Sequence, residues 1–337
     1  MSRPASALRF WSVLFILLAC GWWWVTRTHA GSWGWAAALN MLPPQVLLPW
    51  PLWLAWWASR LKKRGWVGLN LLSAAVFTVS VVGFVLPRAE SPKPGQALGV
   101  MTLNADFASA EPSRMAEVAQ RENVQVIALQ EGLNRSFRGA AYESALRAAF
   151  PGWTVVRSDE LVVVSRLPVL GSQVVKFPHS AHTVLATRLR LGGQAVTVVN
   201  AHLPTFALWP TASDRALRRS LPERLGRGLS VRRDFQGVVA GLLRQTADPF
   251  VLAGDLNMPP RGGVVYQLRY LHLHDAFAEG GVGFGFTHAA LLPHSRLDYV
   301  WVRGAGVRQF SVLRDLLSDH RAAVVRLAVP DAEAGQP

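Results

Sequence analysis

The sequence predicts a mixed α/β domain of about 240 residues set behind a block of membrane-spanning helices. Three observations carry this reading. From residue 98 onward, short runs of Val, Ile and Leu alternate with turn residues and helical stretches. All 21 acidic residues lie at Glu90 or beyond. Of the 14 tryptophans, 11 fall between Trp11 and Trp66, a concentration that suits a bilayer interface and not a soluble core.

The membrane block, residues 1–87, holds three apolar stretches, at about 8–26, 33–58 and 66–86. Each is near the roughly 20 residues that cross a bilayer as helix, and none has a charge at its centre. Pro43, Pro44, Pro49 and Pro51 predict a kinked or broken helix in the second. A cleaved signal peptide is the alternative for the first stretch. Its long apolar region, the lack of a small-residue cleavage site and the two stretches that follow weigh against that. A buried helical core is the alternative for all three. The loop Arg60-Leu61-Lys62-Lys63-Arg64, with Arg3 and Arg9 at the N-terminus, favours the cytoplasmic side. Three crossings then put everything beyond Leu86 outside the cytoplasm, as a multi-pass protein of the cell membrane. Residues 88–97 read as an extended linker, 98–328 as the α/β domain and 329–337 as a tail.

Charge divides along the same line. Seven Lys or Arg and no acid occupy the first 87 residues, and 28 basic against 21 acidic residues follow. The α/β region is therefore mildly basic, which fits an anionic substrate or membrane surface and does not by itself indicate nucleic acid. Cys20 is the sole cysteine, which excludes an intrachain disulfide framework and a cysteine-built metal site.

Within the α/β region, strands are predicted at residues 98–103, 124–129, 153–156, 161–164, 183–190, 195–200, 250–253, 297–302 and 322–327. Helices are predicted at 112–122, 140–150, 231–244 and 263–270, the first opened by Pro112. Residues 204–233 are rich in arginine, with few apolar anchors before Leu229, and read as a long basic loop. Arg215, Arg218 and Arg219 there are candidates for contacting phosphate or lipid headgroups; a solvated surface segment is the plain alternative. Trp209 suits a lipid interface or ordinary packing.

Polar residues recur at strand ends: Asn104 and Asp106, Gln130-Glu131, Asn200-Ala201-His202, Asp255-Leu256-Asn257, Asp298, and Ser318-Asp319-His320. Acids, amides and histidines gathered at strand ends are how an α/β sheet builds a site. Hard oxygen ligands without cysteine suit Mg²⁺ or Mn²⁺. A divalent ion beside His and Asp suits attack of water on a phosphate ester. The other histidines, among them His179, His182, His272, His274, His288 and His294, read as structural or surface residues.

The ordered set Leu103-Asn104, Gln130-Glu131, Asn200-Ala201-His202-Leu203, Gly254-Asp255-Leu256-Asn257, Arg296-Leu297-Asp298-Tyr299 and Ser318-Asp319-His320 resembles the endonuclease/exonuclease/phosphatase superfamily of DNase I-like enzymes. The resemblance implies a four-layer α/β sandwich, two packed mixed β-sheets flanked by helices, with the site at one sheet edge. It implies Glu131 as the main Mg²⁺ ligand, Asn104 in support, and Asp319 near the metal. Asp106 matches a metal-side acid in some members only. Asp255 would position and activate the attacking water, with Asn257 on the phosphate. His320, oriented by Asp298, would contact phosphoryl oxygens, and His202 would face the phosphate or leaving group.

Departures from the family patterns narrow the substrate. A Tyr usual in AP endonucleases is replaced by His202. The Trp-Thr-Asp-Arg signature of inositol phosphatases is missing, and Phe286-Thr287-His288 stands ahead of Asp298 instead. The expectation is hydrolysis of a phospholipid or lipid-linked phosphate ester at the outer membrane face. An extracytoplasmic Mg²⁺-dependent nuclease and a catalytically silent membrane scaffold are the alternatives. No protein partner is implied.

Overall fold

Strands that are apolar at every position need a covered face on each side, and the folded chain supplies both. The structure is a computed structural model that describes residues 3–86, 94–132, 138–206, 215, 218–288 and 295–331. Its strands are β1 (Gln96–Asn104), β2 (Val126–Gln130), β3 (Thr154–Ser158), β4 (Leu161–Ser165), β5 (Val169–Lys176), β6 (Thr183–Leu191), β7 (Gln194–His202), β8 (Phe250–Asp255), β9 (His274–Asp275), β10 (Asp298–Arg303), β11 (Gly306–Leu316) and β12 (Arg321–Val329). They form two six-stranded sheets, ordered β11-β12-β1-β2-β4-β3 and β5-β6-β7-β8-β10-β9. Each is mixed: β1 and β2 run parallel in one, β7 and β8 in the other, and the remaining pairs are antiparallel.

The helices are α1 (Arg3–His29), α2 (Gly34–Met41), α3 (Pro49–Arg60), α4 (Arg64–Phe77), α5 (Pro112–Arg121), α6 (Arg138–Ala149), α7 (Leu221–Gln245), α8 (Gly263–Tyr270) and α9 (Ala276–Gly280). Between the sheets, Val100, Val126 and Val325 of one meet Val198, Val251 and Val300 of the other. On the outer face of the first sheet, Met101 and Ile127 lie under Met115 and Val118 of α5 and Leu146 of α6. On the outer face of the second, Val199, Leu252 and Trp301 lie under Phe235 and Val239 of α7 and Leu268 of α8. The order helix, sheet, sheet, helix is the four-layer sandwich expected.

Residues 204–233 correct the sequence reading. No long loop fills that range, because α7 begins at Leu221. A capping box starts it: Ser220 and Glu223 satisfy each other's end of the first turn. Leu225 and Leu229 are buried against Phe206 and against Ala37 of α2. Part of this anchor, α2, lies in the N-terminal block, so the region alone looked sparsely anchored. Residues 207–214 and 216–217, Trp209 included, lie outside the described residues, as do 332–337 of the expected tail, residue 87 and 88–93 of the expected linker. The sheet begins at Gln96, inside the linker's predicted range.

The N-terminal block also differs from three full spans. Among the described residues, two helical runs are long and apolar enough to cross a bilayer, Arg3–His29 and Arg64–Val82. The second apolar stretch is broken into α2, a 3-10 turn at Pro44–Leu47 and α3. Its prolines remove N–H donors, and their rings clash with carbonyls one turn back, which a continuous helix cannot absorb. At about 1.5 Å per residue, α3 reaches roughly 18 Å, short of a bilayer core of about 30 Å. α1 and α4 run the same way: Asn70 donates to Ser12 at 3.0 Å, and Phe15 meets Phe77 at 5.6 Å between rings. α3 lies between them as the return leg, with Leu54 and Ala58 buried against Leu8 and Phe77.

The block is seated on the α/β domain at several points. Gly31 and Gly263 touch so closely that a Cβ on either would crowd the other's backbone. Val85 donates to Gly283 O at 2.8 Å and accepts from Gly283 N at 2.8 Å. One buried ion pair stiffens the region between. Arg296 donates to both oxygens of Asp275 at 2.8 and 2.6 Å and lies over the rings of Phe277 (4.7 Å) and Tyr299 (4.4 Å). Asp275→Ala leaves that guanidinium buried without its counter-charge. It is expected to cost about 3–5 kcal/mol of folding free energy, measured by denaturant titration of the detergent-solubilised chain. A loss under about 1 kcal/mol would show the pair to be no more than a surface ion pair in effect.

Candidate active site

The two parallel strand pairs end at the same edge of the sandwich. Asn104 and Gln130 close β1 and β2, and His202 and Asp255 close β7 and β8, paired in register with each other. β10 starts at the same edge with Asp298 directly across from Asp255. Ser318-Asp319-His320 precede β12 there. The backbone at this edge is unusual. Glu131 (φ 53°), Asn257 (φ 45°) and Asp106 (φ 44°) are left-handed, a conformation that non-glycine residues rarely hold unless the surroundings impose it. Gly254 (φ 153°) sits where a Cβ would run into the Ala201 carbonyl, so β7 and β8 can close on each other directly before Asp255.

Asp255 is the centre. It is fully buried. Its Oδ2 accepts from Asn104 Nδ2 at 3.1 Å and from Asn257 Nδ2 at 3.1 Å, and its Oδ1 accepts from the Asn257 N–H at 2.7 Å. His202 Nε2 and His320 Nε2 each lie 3.9 Å from Oδ2. Asn104 Nδ2 also donates to Glu131 Oε1 at 3.0 Å, so one amide joins two carboxylates. The other Glu131 oxygen accepts from the Phe107 N–H at 3.2 Å.

Each histidine has its own acid behind it. His320 Nδ1 is 2.8 Å from Asp298 Oδ2, and His202 Nδ1 is 3.0 Å from Glu160 Oε1. Thr287 accepts from the backbone N–H of Leu297 (3.0 Å) and Asp298 (3.1 Å), fixing where Asp298 starts.

The electrostatics follow from burial and these contacts. Burial, then the charge of Asp298, pushes Asp255 up to about 6, against the pull of His320, His202 and the Asn104 amide. Burial would lower His320, but Asp298, through its charge and its hydrogen bond, together with Asp255 and Asp319, raises it to about 9. His202 is raised in the same way: burial opposes, and Glu160, Asp255 and Glu131 prevail. Glu160 is correspondingly lowered, its burial outweighed by His202. At neutral pH His320 is therefore an imidazolium beside carboxylate, with the Asp255 carboxylate close to its own titration range.

The sequence-predicted residues divide. His202, Asp255, Asn257, Asp298, His320, Glu131 and Asn104 form one bonded group. Asp319 is exposed beside His320 and His288, with ligand atoms within 4.8 Å of one another. Asp106 spends its N–H on Asn104 Oδ1 (3.0 Å), while its carboxylate accepts from Ser109 at 3.2 Å. Arg215, Arg218 and Arg219 lie ahead of α7, outside this group. The other four arginines of that region are on α7, and Arg232 is no surface contact. It is 2% exposed and donates to the carbonyls of Gly228 (3.1 Å), Pro204 (3.1 Å) and Asn257 (3.1 Å), with Phe206 against its face at 4.8 Å.

Glu160, Arg232 and Thr287 are the supporting residues that sequence reasoning missed. His288, read as structural or surface, stands edge-on to His320 at 5.3 Å. Glu160 carries a weak signal, an acid in the Asp159-Glu160 turn between two strands. Arg232 carries one too, standing three residues beyond Leu229 and three before Phe235 in a helical repeat.

The sequence model of the Endonuclease/Exonuclease/phosphatase family matches residues 101–320. The chain belongs to this family. Among solved structures, a family member from Beutenbergia cavernae DSM 12333 is 22% identical, with a TM-score of 0.52 over 70% of this chain and 72% of that one. A mannosyl-6-phosphatase from Bacteroides thetaiotaomicron VPI-5482 is 14% identical, with a TM-score of 0.52 over 68% and 99%. TDP2 from D. rerio, complexed with a single-strand DNA product, is 16% identical, with a TM-score of 0.50 over 69% and 99%. At these identities the likeness is one of fold. No curated protein matches the sequence.

Arg232→Met keeps much of the length but strands two loop carbonyls, those of Pro204 and Asn257. It is expected to cost about 1–3 kcal/mol and to lower kcat by loosening the Asn257 turn. Steady-state kinetics beside a denaturation curve check this. Unchanged kcat would separate the strut from the site.

Proposed function

We propose that the chain is a membrane-anchored, divalent-metal-dependent phosphoesterase acting on a phospholipid or lipid-linked phosphate at the outer face of the membrane. The observation that carries the chemistry is the buried Asp255 carboxylate, ringed by two carboxylate-backed histidines and two amides. The family supplies the reaction class, hydrolysis of phosphate esters.

In this reading Asp255 orients a water molecule and takes its proton as the oxygen attacks phosphorus. Its raised pKa suits a base working near neutrality. Protonated His320, held by Asp298, and His202, held by Glu160, face the phosphoryl oxygens and offset charge that builds there. Asn257 adds an uncharged donor beside them.

The donor set fits a hard divalent cation. Glu131 would hold it, with Asn104, whose amide joins Glu131 to Asp255, in support, since two neighbouring carboxylates in a largely buried edge favour a cation near them. Asp319 and Asp106 would join from the rim. Mg²⁺ or Mn²⁺ would polarise a phosphoryl oxygen and neutralise charge. Arg215, Arg218 and Arg219 remain proposed as contacts for an anionic substrate approaching from the α7 side.

The lipid preference rests on placement. Two apolar spans and exposed tryptophans such as Trp24, Trp33 and Trp35 suit a bilayer and its interface. The extracytoplasmic reading is supported by Arg3, Arg9 and the basic turn between α3 and α4, which lie at the ends remote from the α/β domain, since positive charge favours the cytoplasmic side. That orientation requires the proline-broken second stretch, ending in α3, to return the chain between the two parallel spans.

The test is the purified full chain with Mg²⁺, offered sphingomyelin, a polyprenyl pyrophosphate and plasmid DNA. Lipid hydrolysis is expected. DNA nicking without it would replace the lipid reading with a nuclease, and no activity on any substrate would favour a silent scaffold. Asp255→Asn and His320→Ala are each expected to lower kcat by about 10²–10⁴-fold with the fold intact by circular dichroism. EDTA should abolish activity and added Mg²⁺ or Mn²⁺ restore it; activity that survives chelation would rule out the metal. A topology reporter fused after Leu86 should read extracytoplasmic, and a cytoplasmic signal would reverse the orientation.

A further inference from the structure

Between α1, α4 and the α/β domain lies a cavity of about 640 Å³, away from the Asp255 group. That volume falls within the roughly 300–1,000 Å³ of small-molecule sites. Its composition is split in two. The helices contribute an apolar wall that includes Phe15, Ala19, Leu69, Val76 and Phe77. The domain side contributes guanidiniums.

Three of these lack a carboxylate. Arg27, near the end of α1, and Arg269 of α8 stack on the same ring, that of Tyr266, at 4.8 and 5.5 Å. Neither has a carboxylate partner among the described residues. Like charges gathered on one ring repel unless an anion joins them. Arg261 is 7% exposed; its one bonded nitrogen donates to the Val81 carbonyl at the end of the α4 run, while its buried Nε has no partner among the described residues. A buried cation without a counter-charge is costly. The fourth, Arg296, is neutralised by Asp275, the acid that also lines the cavity.

Depth fits the same occupant. Arg27 is a turn beyond Trp22-Trp23-Trp24, at the level where tryptophans mark the headgroup region, and its guanidinium lies 5.1 Å from the Trp23 ring. The apolar wall continues from there toward the bilayer centre along α1 and α4.

We infer that this cleft holds one anionic phospholipid, its phosphate among Arg27, Arg261 and Arg269 and an acyl chain along the α1–α4 wall. The lipid is a bound co-ligand that joins the membrane helices to the α/β domain, separate from the substrate. It rests on the membrane placement of α1 and α4 and not on which phosphate ester is hydrolysed. Arg261 stands four residues after Asn257, so the lipid also braces the loop that leaves the active site.

Native mass spectrometry of the full chain in mild detergent tests this, with phosphatidylglycerol or phosphatidylcholine of identical acyl chains added. The wild type is expected to retain one phosphatidylglycerol and to release phosphatidylcholine. The double variant Arg27→Gln/Arg269→Gln, at two exposed positions, should lose the phosphatidylglycerol. Ala19→Trp, which fills the wall and leaves every charge in place, should lose it too. Equal retention of both lipids, or phosphatidylglycerol kept by the double variant or by Ala19→Trp, overturns the inference. Alkaline carbonate extraction of membranes separates the two levels. A chain that is released overturns the membrane placement and this site with it, whereas an embedded chain that keeps no phosphatidylglycerol overturns the site alone.

Discussion

A single buried carboxylate organises this molecule. An ionised group with no solvent exposure is tolerated only when its hydrogen bonds are complete and opposite charge is near. Asp255 meets both conditions by drawing on both sheets and on the loops that leave them. Asn104 arrives from the first sheet, Asn257 from the turn after β8, His202 from β7 and His320 from the approach to β12. Behind them a second seam crosses the sheets, where Gln130 donates to Asn200 at 2.7 Å and Asn200 donates to the carbonyls of Leu129 and Val162 at 2.7 and 3.0 Å. Polar contacts of this kind fix sheet-to-sheet register in a way that interdigitated valines do not.

The central strands and the α/β class were legible because β2 and β4 are buried at every position. Burial on two faces leaves a continuous apolar run that local reading detects. β5 and β11 escaped notice for the opposite reason. Both are edge strands: β5 is exposed along nearly its whole length, and β11 carries two register shifts and the charged residues Arg308, Arg314 and Asp315. Edges are kept polar and irregular to discourage pairing with other chains, which erases the periodicity that announces a strand. β9, at two residues, is too short to leave a pattern.

At the site, residues that end strands could be read from the sequence, because polar groups interrupting an apolar run stand out. Their supports could not. Glu160 is 42 residues from His202 and Thr287 is 11 from Asp298, and nothing in either local sequence says which histidine or strand it serves. Arg232 misled more actively. It sits among arginines that do face solvent, and only the helix phase, with Leu225, Leu229 and Phe235 buried on the same face, separates it from them. The break in the second apolar stretch was legible, because Pro43, Pro44, Pro49 and Pro51 interrupt a run whose composition alone reads as one continuous span.

The paired contact of Val85 with Gly283 has a mechanical meaning. Gly283 is four residues from Thr287, and Thr287 both holds the start of β10 and accepts from the Arg321 N–H at 2.7 Å. With Gly31 against Gly263 and α2 against α7, the helices grip the enzyme-like half at separate points instead of holding it by a string. Cutting the protein at the apparent linker would therefore do more than free a domain. It would strip the cover from Phe206, Leu225 and Leu229, leaving a greasy scar beside α7, and would unfasten the strand end on which Asp298 is mounted.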